Sequence, residues 1–131
     1  MAIKFKVIPR RNPRDLAAPQ KYYPSSVTGS ILDLDKLADL VGDGSTVRRN
    51  DVYAVLIGLV DVAKRQLELG NMVRLGDLGS FAVNVSGEGK ETAVEVTSAT
   101  IDKSKIIFRP SSNLKKMLKT LNFEKVGEST T

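Results

Sequence analysis

The sequence of 131 residues contains no cysteine and no histidine. The first absence removes disulfides and thiolate catalysis, the second removes imidazole general bases, and together they remove most transition-metal sites. Enzymatic chemistry keeps little ground on such a chain, so no cofactor, metal site or small-molecule substrate is expected. Long apolar runs are also missing. Nothing approaches the ~20 apolar residues of a membrane span. Met1–Val7 interleaves charged with apolar residues, unlike the continuous apolar core of a secretory signal. A cytoplasmic protein without a membrane partner is expected, of a length that fits one domain with an appendage.

What the chain does carry is a moderate positive excess, 20 Lys+Arg against 15 Asp+Glu for a net charge of +5. This is compatible with a polyanionic partner without demanding one. Its distribution is uneven. Residues 1–30 hold six basic side chains (Lys4, Lys6, Arg10, Arg11, Arg14, Lys21) against Asp15 alone, while residues 31–70 hold five basic against seven acidic. Residues 71–110 balance, and the remainder carries four lysines against two glutamates. The positive charge sits at the two ends.

Ile3, Phe5 and Val7 alternate with Lys4 and Lys6 as in a strand with one buried face, and Pro9 is expected to end it. Arg10-Arg11-Asn12-Pro13-Arg14 is basic and turn-prone, and Tyr22-Tyr23-Pro24 reads as extended or irregular chain. Residues 1–30 form an N-terminal extension in this reading. Its arginines are either a solvated loop or a phosphate-contacting arm. Ser30 and Asp33 give a capping-box-like start to a helix with Leu34, Leu37, Ala38 and Val41 on one face and Gly42 as the stop. Along it Asp33, Asp35 and Asp39 are read as a solvated acidic face rather than a metal site.

A second helix starts between Thr46 and Asn50 and runs to about Leu69. Its first half, Val52–Val60, has no charged residue on any face. Such a helix is buried all round, which a chain this small cannot achieve alone, so a second copy packed across a two-fold axis is expected. Gly58 on that helix suits close helix–helix approach or is simply tolerated there.

Met72, Val73 and Leu75 then read as a strand, Gly76-Asp77-Leu78-Gly79 as a turn, and Phe81, Val83 and Val85 as a second strand. The glycine spacing matches neither a Walker loop nor a dinucleotide fingerprint. Residues 82–97 read as a hairpin with a polar tip, in which Val94 and Val96 resume the strand alternation. Ile106-Ile107-Phe108 supplies a third strand. Pro110–Asn113 begins a last helix with Leu114, Met117, Leu118 and Leu121 buried and Lys115, Lys116 and Lys119 outside. Fraying is expected after about Phe123.

Helix, long buried helix, strand, Gly-x-x-Gly turn, strand, arm, strand ending in Phe108-Arg109-Pro110, helix: this order resembles the bacterial histone-like family of HU and integration host factor. Val73–Phe81 is similar to the family's glycine-rich turn and Phe108-Arg109-Pro110 to its Phe-Lys-Pro. The match covers roughly residues 31–121, and the longer N-terminus is similar to a divergent HU-related branch. The resemblance implies an α+β intertwined dimer with two N-terminal helices, a three-stranded antiparallel sheet, a projecting β-arm and a C-terminal helix. The implied domains are an extension over 1–30, an HU-like DNA-binding domain over 31–123 and a flexible tail over 124–131.

The implied function is nucleoid-associated, largely sequence-nonspecific binding of double-stranded DNA by a homodimer, or by a heterodimer with a paralogue. Candidate DNA contacts are Arg10, Arg11, Arg14, Arg74, Ser80, Asn84, Lys90, Arg109, Lys115, Lys116 and Lys119. The direction of Arg74 is left open. Where the family's arm is arginine-rich, this chain has Asn84, Ser86, Gly89 and Lys90 with Glu88, Glu91 and Glu95. That acidic arm motivates the alternative of an HU-fold dimer that has lost DNA binding and serves as a protein-interaction or structural module.

Overall fold

The computed structural model describes residues 2–126. In chain order the elements are β1 (Ile3–Arg10), β2 (Lys21–Ser26), α1 (Leu34–Asp43), α2 (Arg49–Glu68), β3 (Val73–Arg74), β4 (Gly79–Gly87), β5 (Ile101–Pro110), α3 (Ser112–Leu118) and β6 (Phe123–Lys125). They divide into two units. One joins the chain up to Ile31 with the segment from Met117 onward, and the other is Leu32–Lys116.

The first unit is a three-stranded sheet in the order β2-β1-β6, with β2 antiparallel and β6 parallel to β1. Pro9 does not end β1, which continues to Arg10, and Tyr22–Pro24 is a regular strand rather than irregular chain. The reason lies in which way each backbone group points. Val27 N–H bonds to the Lys4 carbonyl, whereas Val126 N–H bonds to that of Phe5. Alternation then turns Pro9 away from β2, on the side where β6 pairs only as far as Phe5. Pro24, opposite Val7, likewise faces the open edge. Neither proline removes a ladder bond. Residues Phe123–Lys125, expected to fray, are instead recruited as β6. The expected flexible tail beyond Val126 lies outside the described residues.

The second unit begins with a pair of helices in contact. Asp33, not Ser30, caps α1, its Oδ1 accepting from Lys36 N–H at 3.1 Å. The helix runs one residue past Gly42 and closes on Gly44. The cap of α2 is Arg48, with no side-chain bond, so neither Thr46 nor Asn50 plays that part. Arg49 fastens the two helices, reaching Asp35 at 2.5 Å and Asp39 at 2.8 Å with its guanidinium 5.3 Å from the Tyr53 ring centroid. Hydrogen bonds to Asp35 first, then Asp39, raise the Arg49 pKa above its ordinary value. These carboxylates therefore hold a helix pair together. At the far end Gly70 (φ 87°) closes α2 with two crossed bonds, Gly70 N–H to Leu67 O and Asn71 N–H to Gln66 O.

The sheet of this unit has the order β3-β4-β5, all antiparallel. β5 starts at Ile101, five residues before the expected strand at Ile106, and pairs with β4 from Gly79↔Pro110 out to Gly87↔Ile101. Val94 and Val96 do not resume a strand. Ala93–Glu95 and Ser98–Thr100 are short 3-10 turns in the arm tip. Gly79 (φ 148°) packs so tightly that a Cβ there would overlap the Arg109 carbonyl oxygen and the Phe108 ring. Gly89, in the tip, has open space around it.

Gly79→Ala should therefore cost about 1–3 kcal/mol of unfolding free energy, whereas Gly89→Ala should stay within about 0.5 kcal/mol. Urea titration of both variants checks the pair, and equal small effects would contradict the close packing.

Candidate nucleic-acid interface

Side chains directly opposite one another in an antiparallel pair share a face, so the register assigns every arm residue. Phe81↔Phe108 and Val83↔Ile106 lie on one face with Val73. The two rings sit 4.9 Å apart at 46°. On the other face Arg74 lies opposite Ser80, Ser80 opposite Arg109, Asn84 opposite Lys105 and Ser86 opposite Lys103. The open question of Arg74 is thereby resolved: it stands on the polar face, and its Nε donates to Ser80 Oγ at 3.4 Å.

Arg74, Lys103, Lys105 and Arg109 form a cationic row from the root of the arm along its shaft, interspersed with hydroxyl and amide groups and interrupted between Arg109 and Lys105 by the apolar pair Ala82 and Ile107. All four are exposed. Among the described residues none of them is ion-paired, the charge pairs there being those of Arg49. A groove of about 610 Å³ follows the shaft, lined by Asn84, Ser86, Asp102, Lys103 and Lys105 among others. Beyond Lys103 the pattern breaks, because Asp102 is an extra residue in β5 between Ser86 and Gly87. Such a row offers point charges at strand spacing, suited to successive phosphates rather than base edges.

Lys103 and Lys105 were missed by the sequence reading, which began this strand at Ile106. Their spacing with Arg109 was visible. Their addition alters the charge of the arm: Glu88, Glu91, Glu95 and Lys90 all belong to residues 88–100 at the tip, and the shaft behind them is basic.

The remaining candidates are dispersed. Lys115 and Lys116 are exposed on α3. That helix ends at Leu118, so Lys119 lies in the following turn instead of on the helix. Met117 and Leu118, expected to be buried, are 46% and 54% exposed. Lys119 falls in the first unit, as do Arg10, Arg11 and Arg14 around the β1–β2 connection. The start of α3 is tied to the arm root by Ser111. Its hydroxyl donates to the Asp77 carbonyl and accepts from Leu114 N–H at 3.1 Å, while its own N–H bonds to the Leu78 carbonyl at 3.3 Å.

A capped helix pair, a three-stranded antiparallel sheet drawn out into a two-stranded arm, and a short following helix define an HU-type domain. The chain belongs to the HU-HIG family, described as an HU domain fused to a winged helix-turn-helix, Ig or glycine-rich motif, whose model matches residues 1–125. Among solved structures it is similar to a candidate bacterial DNA-binding protein from Bacteroides vulgatus, with 17% identity, a TM-score of 0.68 and coverage of 99% of this chain. This chain spans 50% of that protein's length. It is similar as well to Anabaena HU from a cocrystal with DNA, with 18% identity, a TM-score of 0.50 and coverage of 66% of this chain and 96% of that one. No curated protein matches. At these identities the likeness is one of fold. Among the described residues no helix is long and apolar enough to cross a membrane.

Ser111→Ala removes the α3 cap and its link to the turn together, so a loss of about 1 kcal/mol in unfolding free energy is expected. Thermal unfolding measures it. An unchanged transition would mean that the cap is dispensable.

Proposed function

We propose that this protein is a nucleoid-associated, architectural DNA-binding protein that grips duplex DNA through its phosphates, with little sequence preference, as a homodimer. The observation that carries this reading is the unpaired cationic row Arg74, Lys103, Lys105 and Arg109 on one face of the arm. Ser80 and Asn84 on the same face supply neutral hydrogen bonds. Because the carboxylates Glu88, Glu91 and Glu95 lie at the tip, phosphate attraction is strongest on the shaft and weakest where a family arm would penetrate furthest. Lys115 and Lys116 extend the contact to α3, and Lys90 contributes little among the tip carboxylates.

Dimerisation is supported by what one chain leaves uncovered. Only Ala38 and Val52 are buried apolar residues among those described, while Val55 is 68% and Val60 51% exposed on α2. Leu59, Val60, Ala63 and Leu67 line one side of an open apolar groove of about 620 Å³ whose other side is Leu75, Phe81, Val83 and Ile106. At about 25 cal/mol per Å² of apolar surface, covering such a groove contributes decisively to a small fold. Apart from its chain neighbours and the adjoining helix backbone, Gly58 has no atom within 4 Å of where a Cβ would stand, leaving room for a partner helix.

Two expectations follow for solution experiments. Duplex DNA should bind with a log–log salt slope of about −0.9 per phosphate contact. Replacing Lys103 and Lys105 by Gln removes four charges per dimer and should flatten that slope by up to about 3.6. A folded dimer with no affinity for duplex at low salt would instead favour the protein-interaction reading, which the tip carboxylates support. For the dimer itself, Val55→Asp on a solvent-facing position would change stability by less than about 0.5 kcal/mol. At a subunit interface it should abolish dimers in analytical ultracentrifugation and make unfolding occur at lower denaturant.

A further inference from the structure

The β1–β2 hairpin carries cations that play no part in the arm. Register places Lys6↔Ser25, Ile8↔Tyr23 and Arg10↔Lys21 on a single face. Arg10 and Lys21 are thus like charges directly opposite each other, an arrangement that disfavours the strand pair by itself. The Arg10 guanidinium lies 5.9 Å from the Tyr23 ring centroid. Arg11 and Arg14 follow in the connection, where the backbone is held without them. Asn12 Oδ1 accepts from Arg14 N–H at 2.9 Å, and Asp15 Oδ1 accepts from Ala17 N–H at 3.1 Å. Asp15, the one carboxylate of this connection, is therefore engaged with the local backbone. Among the described residues Arg10, Arg11, Arg14 and Lys21 have no ion-pair partner. Arg10, Arg11, Asn12, Lys21 and Tyr23 contribute to a groove of about 650 Å³.

We infer that this hairpin is a second nucleic-acid contact, a phosphate-backbone cleft on the N-terminal unit that is separate from the arm. The inference rests on the reading of the chain as a DNA-binding protein and gives each protomer two contact surfaces. A linear polyanion relieves the Arg10–Lys21 repulsion, since a phosphate between them converts it into two charge-assisted hydrogen bonds. The guanidinium over Tyr23 is held ready by its aromatic contact. Contacts to phosphates carry no sequence information, so the contact is indifferent to sequence. A concave cleft also fits a strand of backbone better than a plane of lipid headgroups.

The test compares three full-length proteins on the same labelled duplex between about 50 and 200 mM salt. They are the wild type, the Arg10→Gln/Arg11→Gln/Arg14→Gln/Lys21→Gln variant, and the charge-keeping Arg10→Lys/Arg11→Lys/Arg14→Lys variant. One phosphate contact per hairpin gives a dimer two, so the glutamine variant should show a slope flatter by at least about 1.8 and weaker binding by about tenfold per lost contact at the low-salt end. The lysine variant should keep the wild-type slope. Circular dichroism confirms that the fold is retained, as expected for exposed side chains. A wild type that binds while the glutamine variant matches it in affinity and slope overturns the hairpin contact and leaves the arm reading standing. A wild type with no affinity for duplex overturns both. Loss of binding to anionic phosphatidylglycerol vesicles without loss of DNA binding would also overturn it, assigning the cations to a membrane surface.

Discussion

The register of β4 against β5 is the constraint on which the rest of the second unit depends. It is set at the root, where Gly79 adopts a backbone conformation that side chains avoid and lies against the Arg109 carbonyl and the Phe108 ring. The Phe81–Phe108 contact follows two residues out. Strand side chains alternate, so a slip of one residue would exchange the two faces of one strand, carrying Phe81 and Val83 to the cationic face or Lys103, Lys105 and Arg109 toward the apolar groove. With the register fixed, the same two strands present Phe81, Val83, Ile106 and Phe108 on one side and Arg109, Lys105 and Lys103 on the other. In the function proposed above, one face would receive another copy of the chain and the other a polyanion.

The first unit applies the same rule with different materials. Two prolines, ordinarily hostile to sheets, are placed where no neighbouring strand needs their missing N–H groups. The sheet gains its third strand from Phe123–Lys125, more than a hundred positions along the chain from β1. Charge is used in two ways. Asp35 and Asp39 are spent locally on Arg49, fastening α1 to α2. The hairpin and arm cations have no ion-pair partner among the described residues, and the proposed function supplies one of opposite sign.

Much of this was legible in the sequence, and the failures have physical causes. The period-3.6 pattern gave α1, the long apolar run before Gly70 gave α2, and the glycines of Leu75–Gly79 gave the turn, because each signal is local. The charge-free half of α2 announced its uncovered surface for the same reason. The outer half of β5 was hidden because Asp102 interrupts the alternation at a bulge, leaving Lys103 and Lys105 to look like loop residues. The valines at 94 and 96 mimicked a strand, but 3-10 turns can expose them: Val94 is 89% exposed. Pro9 reads as a stop because a sequence does not say which strand edge is open. β6 was invisible because its pairing with β1 depends on a contact that no local pattern encodes.

In the proposed function the arm shaft, rather than its tip, carries the phosphate contact. Lysine-acetylation footprinting by mass spectrometry, with and without saturating duplex DNA, addresses it residue by residue. The account predicts that Lys103 and Lys105 lose reactivity when DNA is bound while Lys90 at the tip and Lys36 on α1 keep theirs. Protection of Lys90 with Lys103 and Lys105 modified equally in both conditions would contradict it.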